Sequence, residues 1–165
     1  MQPIQTDEYT IWLEPENGAE IQKVIDAIAH RAGTPSFLPH VTLLPGLQGS
    51  EEVLIEKMRE LATVQPFHIA FTKVGTGEAY HKCLFLQCEH SEELMSLRKK
   101  GEEIFEQPPT YYPHLSLGYG VDKELREELA VELFKKQFIF KVTRISLWHA
   151  KGLVEEWRKV IEYKL

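Results

Sequence analysis

Pro39-His40-Val41-Thr42-Leu43-Leu44-Pro45-Gly46 is one stretch of this 165-residue chain, and Pro113-His114-Leu115-Ser116-Leu117-Gly118-Tyr119-Gly120 gives nearly the same pattern again. Each copy runs proline, histidine, apolar residue, small hydroxyl residue, leucine, and reaches a glycine. A β-strand sends alternate side chains to opposite faces. His40 and Thr42 therefore share a face, as do His114 and Ser116, while Val41 and Leu115 turn toward a core. Such a triplet can open any buried strand, but two copies in one chain are a specific signal.

Working outward, each copy is reached through a proline-rich approach, Thr34-Pro35-Ser36-Phe37-Leu38-Pro39 and Gln107-Pro108-Pro109-Thr110-Tyr111-Tyr112-Pro113. Proline disfavours the helical region for the residue before it, so both approaches are predicted extended. Residues 1–7 are polar and predicted loose, 8–14 predict a strand stopped by Pro15, and 19–31 a helix with Ile21, Val24, Ile25 and Ile28 at helical spacing, ended by Gly33. Beyond the first motif the pattern predicts a helix over 51–62 that can bury Val53, Ile55, Met58 and Leu61. A strand follows over 66–74 with Phe67, Ile69 and Phe71 on one face, then a turn at Gly75-Thr76-Gly77 and an antiparallel partner over 82–89. Ser91 opens a helix to about residue 105. The second motif precedes a helix over 121–136 and a closing hairpin of strands 138–149 and 153–164 joined around Lys151-Gly152. The order helix, motif strand, helix, strands occurs twice, a weak internal duplication. Strands and helices mixed with short hairpin links predict an α+β fold rather than a doubly wound parallel sheet.

The length suits one well-packed domain or two small lobes sharing a core. With 43% hydrophobic and 27% charged residues the composition is that of a soluble globular protein. The longest apolar runs, such as Cys83-Leu84-Phe85-Leu86, fall far short of a membrane span, and the N-terminus shows no basic-then-apolar leader. The expected location is the cytosol. A net charge of −6 argues against gripping a long phosphate backbone. The basic runs Arg98-Lys99-Lys100 and Lys135-Lys136 read as solvated helix faces. Cys83 and Cys88, at an odd spacing in one strand, read as buried free thiols.

The paired motifs resemble the signature of the 2H phosphoesterase superfamily, named for two H-x-T/S motifs, and within it the plant and fungal cyclic phosphodiesterases. The resemblance spans nearly the whole chain. It implies a single 1–165 domain of two intertwined lobes, each with an antiparallel sheet and outer helices, related by an approximate two-fold around a central cleft. It implies metal-independent hydrolysis of 2′,3′-cyclic nucleotides to nucleoside 2′-phosphates, or of ADP-ribose 1″,2″-cyclic phosphate, by a monomer without a cofactor. Two other readings stay open: processing of RNA 3′ ends, and a cleft that holds a nucleotide without turning it over.

The residue chemistry agrees with that reaction. Opening a cyclic phosphodiester needs a base for water and an acid for the departing oxygen, and histidine serves as either near neutrality. His40 and His114 are the catalytic candidates. Residues alone do not rank them; the resemblance assigns His114 to water and His40 to the leaving oxygen. Thr42 and Ser116 are placed to donate to the phosphate oxygens. Tyr119, in the H-x-S-x-x-Y continuation of the second motif, is a phosphate or ribose candidate. Trp12, Tyr111 and Tyr112 are candidates for stacking on a base or ribose, with core packing the favoured role for Trp12 because Ile11 and Leu13 flank it. His30, His68, His81, His90 and His149 read as surface or packing residues. His81 with Cys83 is the only close pair of metal-ligand type, and a metal site is not expected.

Overall fold

A computed structural model describes residues 6–165. The expectation for residues 1–5 lies outside the described residues, while the first strand, β1 (Thr6–Pro15), is longer than its pattern predicted. It leads into α1 (Ala19–Ala32), the first motif strand β2 (Val41–Leu47), α2 (Glu51–Leu61), β3 (Phe67–Ile69), β4 (Phe71–Ala79), β5 (Lys82–Cys88) and α3 (Glu92–Phe105). The second motif strand β6 (His114–Gly118) follows, then α4 (Lys123–Leu133), β7 (Phe140–Gly152), a 3-10 turn at Val154–Glu156 and β8 (Arg158–Lys164). No helix among the described residues is long and apolar enough to cross a membrane.

All pairings are antiparallel, in the order β3-β7-β1-β2-β6-β5-β4, with β8 sharing the outer edge of β7 with β3. The two motif strands are neighbours, but a single residue pair, Val41 opposite Leu115, joins them. That seam divides the sheet into a half built on β1, β2, β3, β7 and β8 and a half built on β4, β5 and β6. The halves do not correspond to the first and second parts of the chain. The segment predicted as one strand over 66–74 breaks at Ala70: Phe67–Ile69 pairs with β7, and Phe71 onward pairs with β5. Alternation is intact on either side of the break, and period alone does not show a strand changing partners. Gly75-Thr76-Gly77 is inside β4 rather than a turn, and the chain reverses at Tyr80-His81. Gly75 lies against the Phe85 ring, where a Cβ would come within 2.4 Å of it, so this glycine answers to packing. Lys151-Gly152 likewise belongs to β7, and the hairpin closes through the 3-10 turn.

The helices cross over as well. α3 packs on β2, and α1 packs on β6, so each motif strand is backed by a helix from the other part of the chain. Two glycines permit this. A Cβ at Gly101, in the middle of α3, would sit 2.7 Å from Leu44, and one at Gly118 would sit 2.9 Å from Ile28 of α1. A helix-interior glycine costs about 1 kcal/mol relative to alanine, and here it allows close approach to the strand. α1 buries Ile21, Ile25 and Ile28, each worth roughly 1.5–3 kcal/mol of apolar burial. α2 buries Met58 and Leu61 as expected, with Leu54 in place of the expected Val53, which is exposed, because Leu54 lies one turn before Met58 on the same face. Ser50, Ser91 and Asp122 cap α2, α3 and α4 by accepting from the third helical N–H.

The predicted solvated face at Arg98 is corrected: its side chain is only 2% exposed. The guanidinium donates to the carbonyls of Leu43, Pro108 and Thr110 and to the Glu102 carboxylate. It thereby ties the first motif strand to the approach of the second. In a helix among glutamates a buried arginine has the same sequence pattern as a surface one.

Candidate active site

His40 and His114 line one cavity of 360 Å³ between the two halves of the sheet, together with Thr42 and Ser116. Each imidazole is fixed in the same way. His40 Nδ1 lies 2.8 Å from the carbonyl oxygen of Leu38, and His114 Nδ1 lies 2.9 Å from that of Tyr112. A carbonyl only accepts, so each Nδ1 carries the hydrogen and each Nε2 is left as a bare lone pair. In both cases the intervening residue is the motif proline, whose restricted backbone and missing N–H suit it to the bend that turns the preceding carbonyl back onto the imidazole. The prolines thus select a tautomer.

Burial lowers the pKa of both imidazoles. For His40 it dominates, with smaller contributions from the nearby His114 and His81 rings, and brings the value to about 3 despite the opposing bond to Leu38. His114 is lowered by burial first and by the Lys82 ammonium beside it. Both rings are therefore neutral at physiological pH.

The His40 ring lies flat on Trp12, with centroids 3.5 Å apart and planes within 7°. Trp148 stacks on Trp12 at 4.4 Å. Two rings this close to one indole would overlap if they shared a face, so they occupy opposite faces. Trp12 therefore has no face free for a base and borders the cavity by its edge. The packing role expected of Trp12 holds, since it is 3% exposed and stacked on both faces, but it packs on the other side of β1 from its neighbours. Ile11 and Leu13 are fully buried, but Trp12 alternates with them and lies on the cleft side of β1.

The two hydroxyls are not equivalent. Ser116 Oγ donates to the backbone carbonyl of His81 at 2.7 Å, whereas the Thr42 hydroxyl has no such partner among the described residues. To donate to a phosphate oxygen, Ser116 must release that carbonyl. Tyr119 reaches the cavity but is 3% exposed, with its ring stacked on Phe37 at 3.7 Å and its hydroxyl pKa raised by burial. Tyr111 and Tyr112 line the mouth. The Tyr111 hydroxyl donates to the Thr42 carbonyl and that of Tyr112 to Gln87, while the Lys82 ammonium sits 3.6 Å over the Tyr112 ring.

Sequence reasoning missed three contributors. His81, read as a surface or packing residue, reaches the cavity from the β4–β5 reversal, and burial lowers its pKa. Lys82 lies beside it, and Trp157 closes the cleft from the residue before β8. His81 and Lys82 stand at the reversal from β4 into β5, which pairs with the motif strand β6; a turn at Gly75-Thr76-Gly77 conceals that position, and nothing local marks Trp157.

In a chain of net charge −6, no aspartate or glutamate lines this cavity among the described residues. Its ionisable side chains are three histidines, one lysine and three tyrosines, an arrangement suited to a small anion. Among the described residues no group of three histidine, cysteine or acidic side chains is arranged to hold a metal ion. Cys83 and Cys88 are free and buried; burial raises both thiols, Cys88 to about 12.

Residues 37–153 match the 2′-5′ RNA ligase superfamily. Over 134 residues the chain is 29% identical to the cyclic phosphodiesterase of Arabidopsis thaliana, spanning 78% of this chain and 72% of that protein. Among solved structures, Escherichia coli LigT complexed with 3′-AMP superposes with a TM-score of 0.68 at 16% identity, covering 96% of this chain and 98% of LigT. LigT complexed with ATP gives 0.64 with the same coverage and identity. These structural likenesses are of fold.

Proposed function

The chain belongs to the 2′-5′ RNA ligase superfamily, the 2H phosphoesterases, and from that membership we propose that it hydrolyses small cyclic phosphodiesters, 2′,3′-cyclic nucleotides foremost. The observation that carries this reading is the matched pair of imidazoles, both held as Nδ1–H tautomers by the carbonyl two residues back, both on a cavity with no carboxylate among its described lining residues. Two bare Nε2 atoms on either side of one phosphate supply a proton acceptor and, once one is protonated, a proton donor.

In this mechanism His114 Nε2 takes a proton from water as the water oxygen bonds to phosphorus. The bond from phosphorus to the ribose 3′-oxygen breaks, and His40 delivers a proton to that oxygen, leaving a 2′-phosphate. His40 must be protonated beforehand, against the burial that favours its neutral form. A phosphate anion between the rings offsets that penalty, and the Trp12 face beneath His40 favours an imidazolium through its π electrons. His114 has no ring stacked flat against it, which supports giving it the role of base. Thr42 donates to a non-bridging oxygen, and Ser116 joins it on release from the His81 carbonyl.

Incubation with the four 2′,3′-cyclic nucleotides, followed by chromatography of the products, tests the reading. Nucleoside 2′-phosphates are the expected product. Binding without product would show a nucleotide-holding module. Turnover confined to RNA ends, with affinity falling steeply as salt rises, would show an RNA-processing enzyme.

A further inference from the structure

The stack that begins at His40 does not end at Trp12. Trp148 lies on the far face of Trp12, and its indole N–H donates to Ser146 Oγ at 3.0 Å. Ser146 in turn donates its hydroxyl to the Glu14 carboxylate, which also accepts from Lys159 Nζ at 3.0 Å. The same ammonium sits 5.4 Å from the Trp148 ring centroid, and Lys159 also pairs with Glu162. Strand register explains the alignment: Trp12 is opposite Ser146 on β7, Ser146 opposite Glu162 on β8, and Trp148 opposite Lys159. Glu14 is a carboxylate only 4% exposed, and neither it, Ser146 nor Trp148 touches the cavity. Burying a carboxylate carries a large desolvation cost, and here its partners are the serine that holds Trp148 and the lysine that caps it.

We propose that Glu14, Ser146 and Trp148 are positioning residues for His40, forming a relay in which the carboxylate orients the serine, the serine pins Trp148, and Trp148 presses Trp12 against the imidazole. The proposal rests on the phosphodiesterase reading for its kinetic consequences but not for its structural ones. His40 is held at one edge by the Leu38 carbonyl and on one face by Trp12. The carbonyl bond sets the tautomer and leaves the ring free to tilt about it. The indole face removes that freedom and sets the direction of Nε2. A misplacement of about 1 Å in a reacting group can cost about a hundredfold in rate, so loss of the stack registers in turnover far more than in binding.

The test combines kinetics with ¹⁵N spectra of the histidine rings in the full chain. Trp148→Leu removes the stacked ring, Ser146→Ala removes the pin, and Trp148→Phe keeps a ring while losing the N–H. For Trp148→Leu and Ser146→Ala the expected result is a fall in kcat of about tenfold or more, with KM for the 2′,3′-cyclic nucleotides little changed. Trp148→Phe falls between them and the parent. In a His40→Ala background the same substitutions cost nothing further, because the group they position is gone. Effects that multiply in full on His40→Ala, or His40 ring signals unmoved by Ser146→Ala, overturn the relay. If Trp148→Leu does not fold, Ser146→Ala and Trp148→Phe carry the comparison. If the parent protein hydrolyses none of the cyclic nucleotides, the phosphodiesterase reading fails, and the His40 ring signals of the free protein still decide the relay.

Discussion

The Tyr111 hydroxyl donates to the backbone carbonyl of Thr42 at 3.0 Å, so the approach to the second motif is bonded to the strand of the first. It supplements a seam that consists of the single Val41–Leu115 pair. Tyr111→Phe removes the bond and keeps the ring. The expected cost is about 1 kcal/mol of stability, read from the urea midpoint, with a larger fractional loss in kcat than in KM because the two motifs are no longer held in register.

Arg98 joins the same two segments from below, with its guanidinium also 4.7 Å from the Tyr111 ring centroid. Arg98→Ala leaves three carbonyls and Glu102 without their donor and is expected to destabilise the fold by about 3–5 kcal/mol, in the range for breaking a buried ionic network. Arg98→Lys rescues little, since one ammonium cannot span the carbonyls that the planar fork reaches. Equilibrium denaturation of the two variants provides the check, and a near-parental midpoint for the lysine variant would contradict this role.

His40 makes stability depend on pH in a calculable direction. Burial holds its imidazole at about 3 in the folded chain, against about 6.5 when unfolded. Between those values the unfolded chain binds the extra proton, so this contribution is fully present above about pH 6.5 and is lost progressively as pH falls toward 3. His114 is shifted the same way. Denaturation midpoints of the parent should decline over that window more steeply than those of His40→Asn. Inorganic phosphate should raise the His40 titration point seen by NMR, and no movement would argue against an anion between the rings.

The proposed mechanism divides the barrier unequally among the motif side chains. Loss of a positioned acid or base in His40→Ala or His114→Ala should cost ~10²–10⁴ in turnover. Thr42→Ala removes a donor to developing charge, worth ~10²–10³. Ser116→Ala should additionally destabilise the His81 reversal, because it removes the donor to that carbonyl. Thermal midpoints therefore separate Ser116 from Thr42, and equal midpoints would show that the serine anchor is dispensable.

Turnover should persist in EDTA, because the proposed mechanism assigns both proton transfers to imidazoles and asks nothing of a Lewis acid. Activity that disappears with the chelator and returns with a divalent ion would sink the two-imidazole mechanism.

The paired motifs were legible because alternation in a strand is rigid: once His40 and Thr42 lie two apart on one face, they reach one cavity. The helices were legible for the same kind of reason, since Ile21, Ile25 and Ile28 have one period and one cap. What escaped depended on long-range pairing. Nothing local distinguishes Ala70, where the chain changes halves of the sheet, from any other residue between two strands. Gly75 resembles a turn glycine although its role is to admit the Phe85 ring, and that misplacement hid His81. Arg98 and Trp12 show the same limit: a residue type and its neighbours suggest whether it is buried, but not which partner it meets.

The pairing of β1 with β7 brings together strands from opposite ends of the chain, Ile11 opposite Leu147 and Trp12 opposite Ser146. During synthesis β1 must wait for β7, more than a hundred residues later, before it gains a neighbour on that edge, and the Trp12–Trp148 contact that backs His40 waits with it. Non-local pairing of this kind slows folding and prolongs the exposure of an apolar strand. Nascent chains halted before β7 should therefore remain protease-sensitive at β1 and bind chaperones, and acquire resistance only when the C-terminal hairpin has emerged.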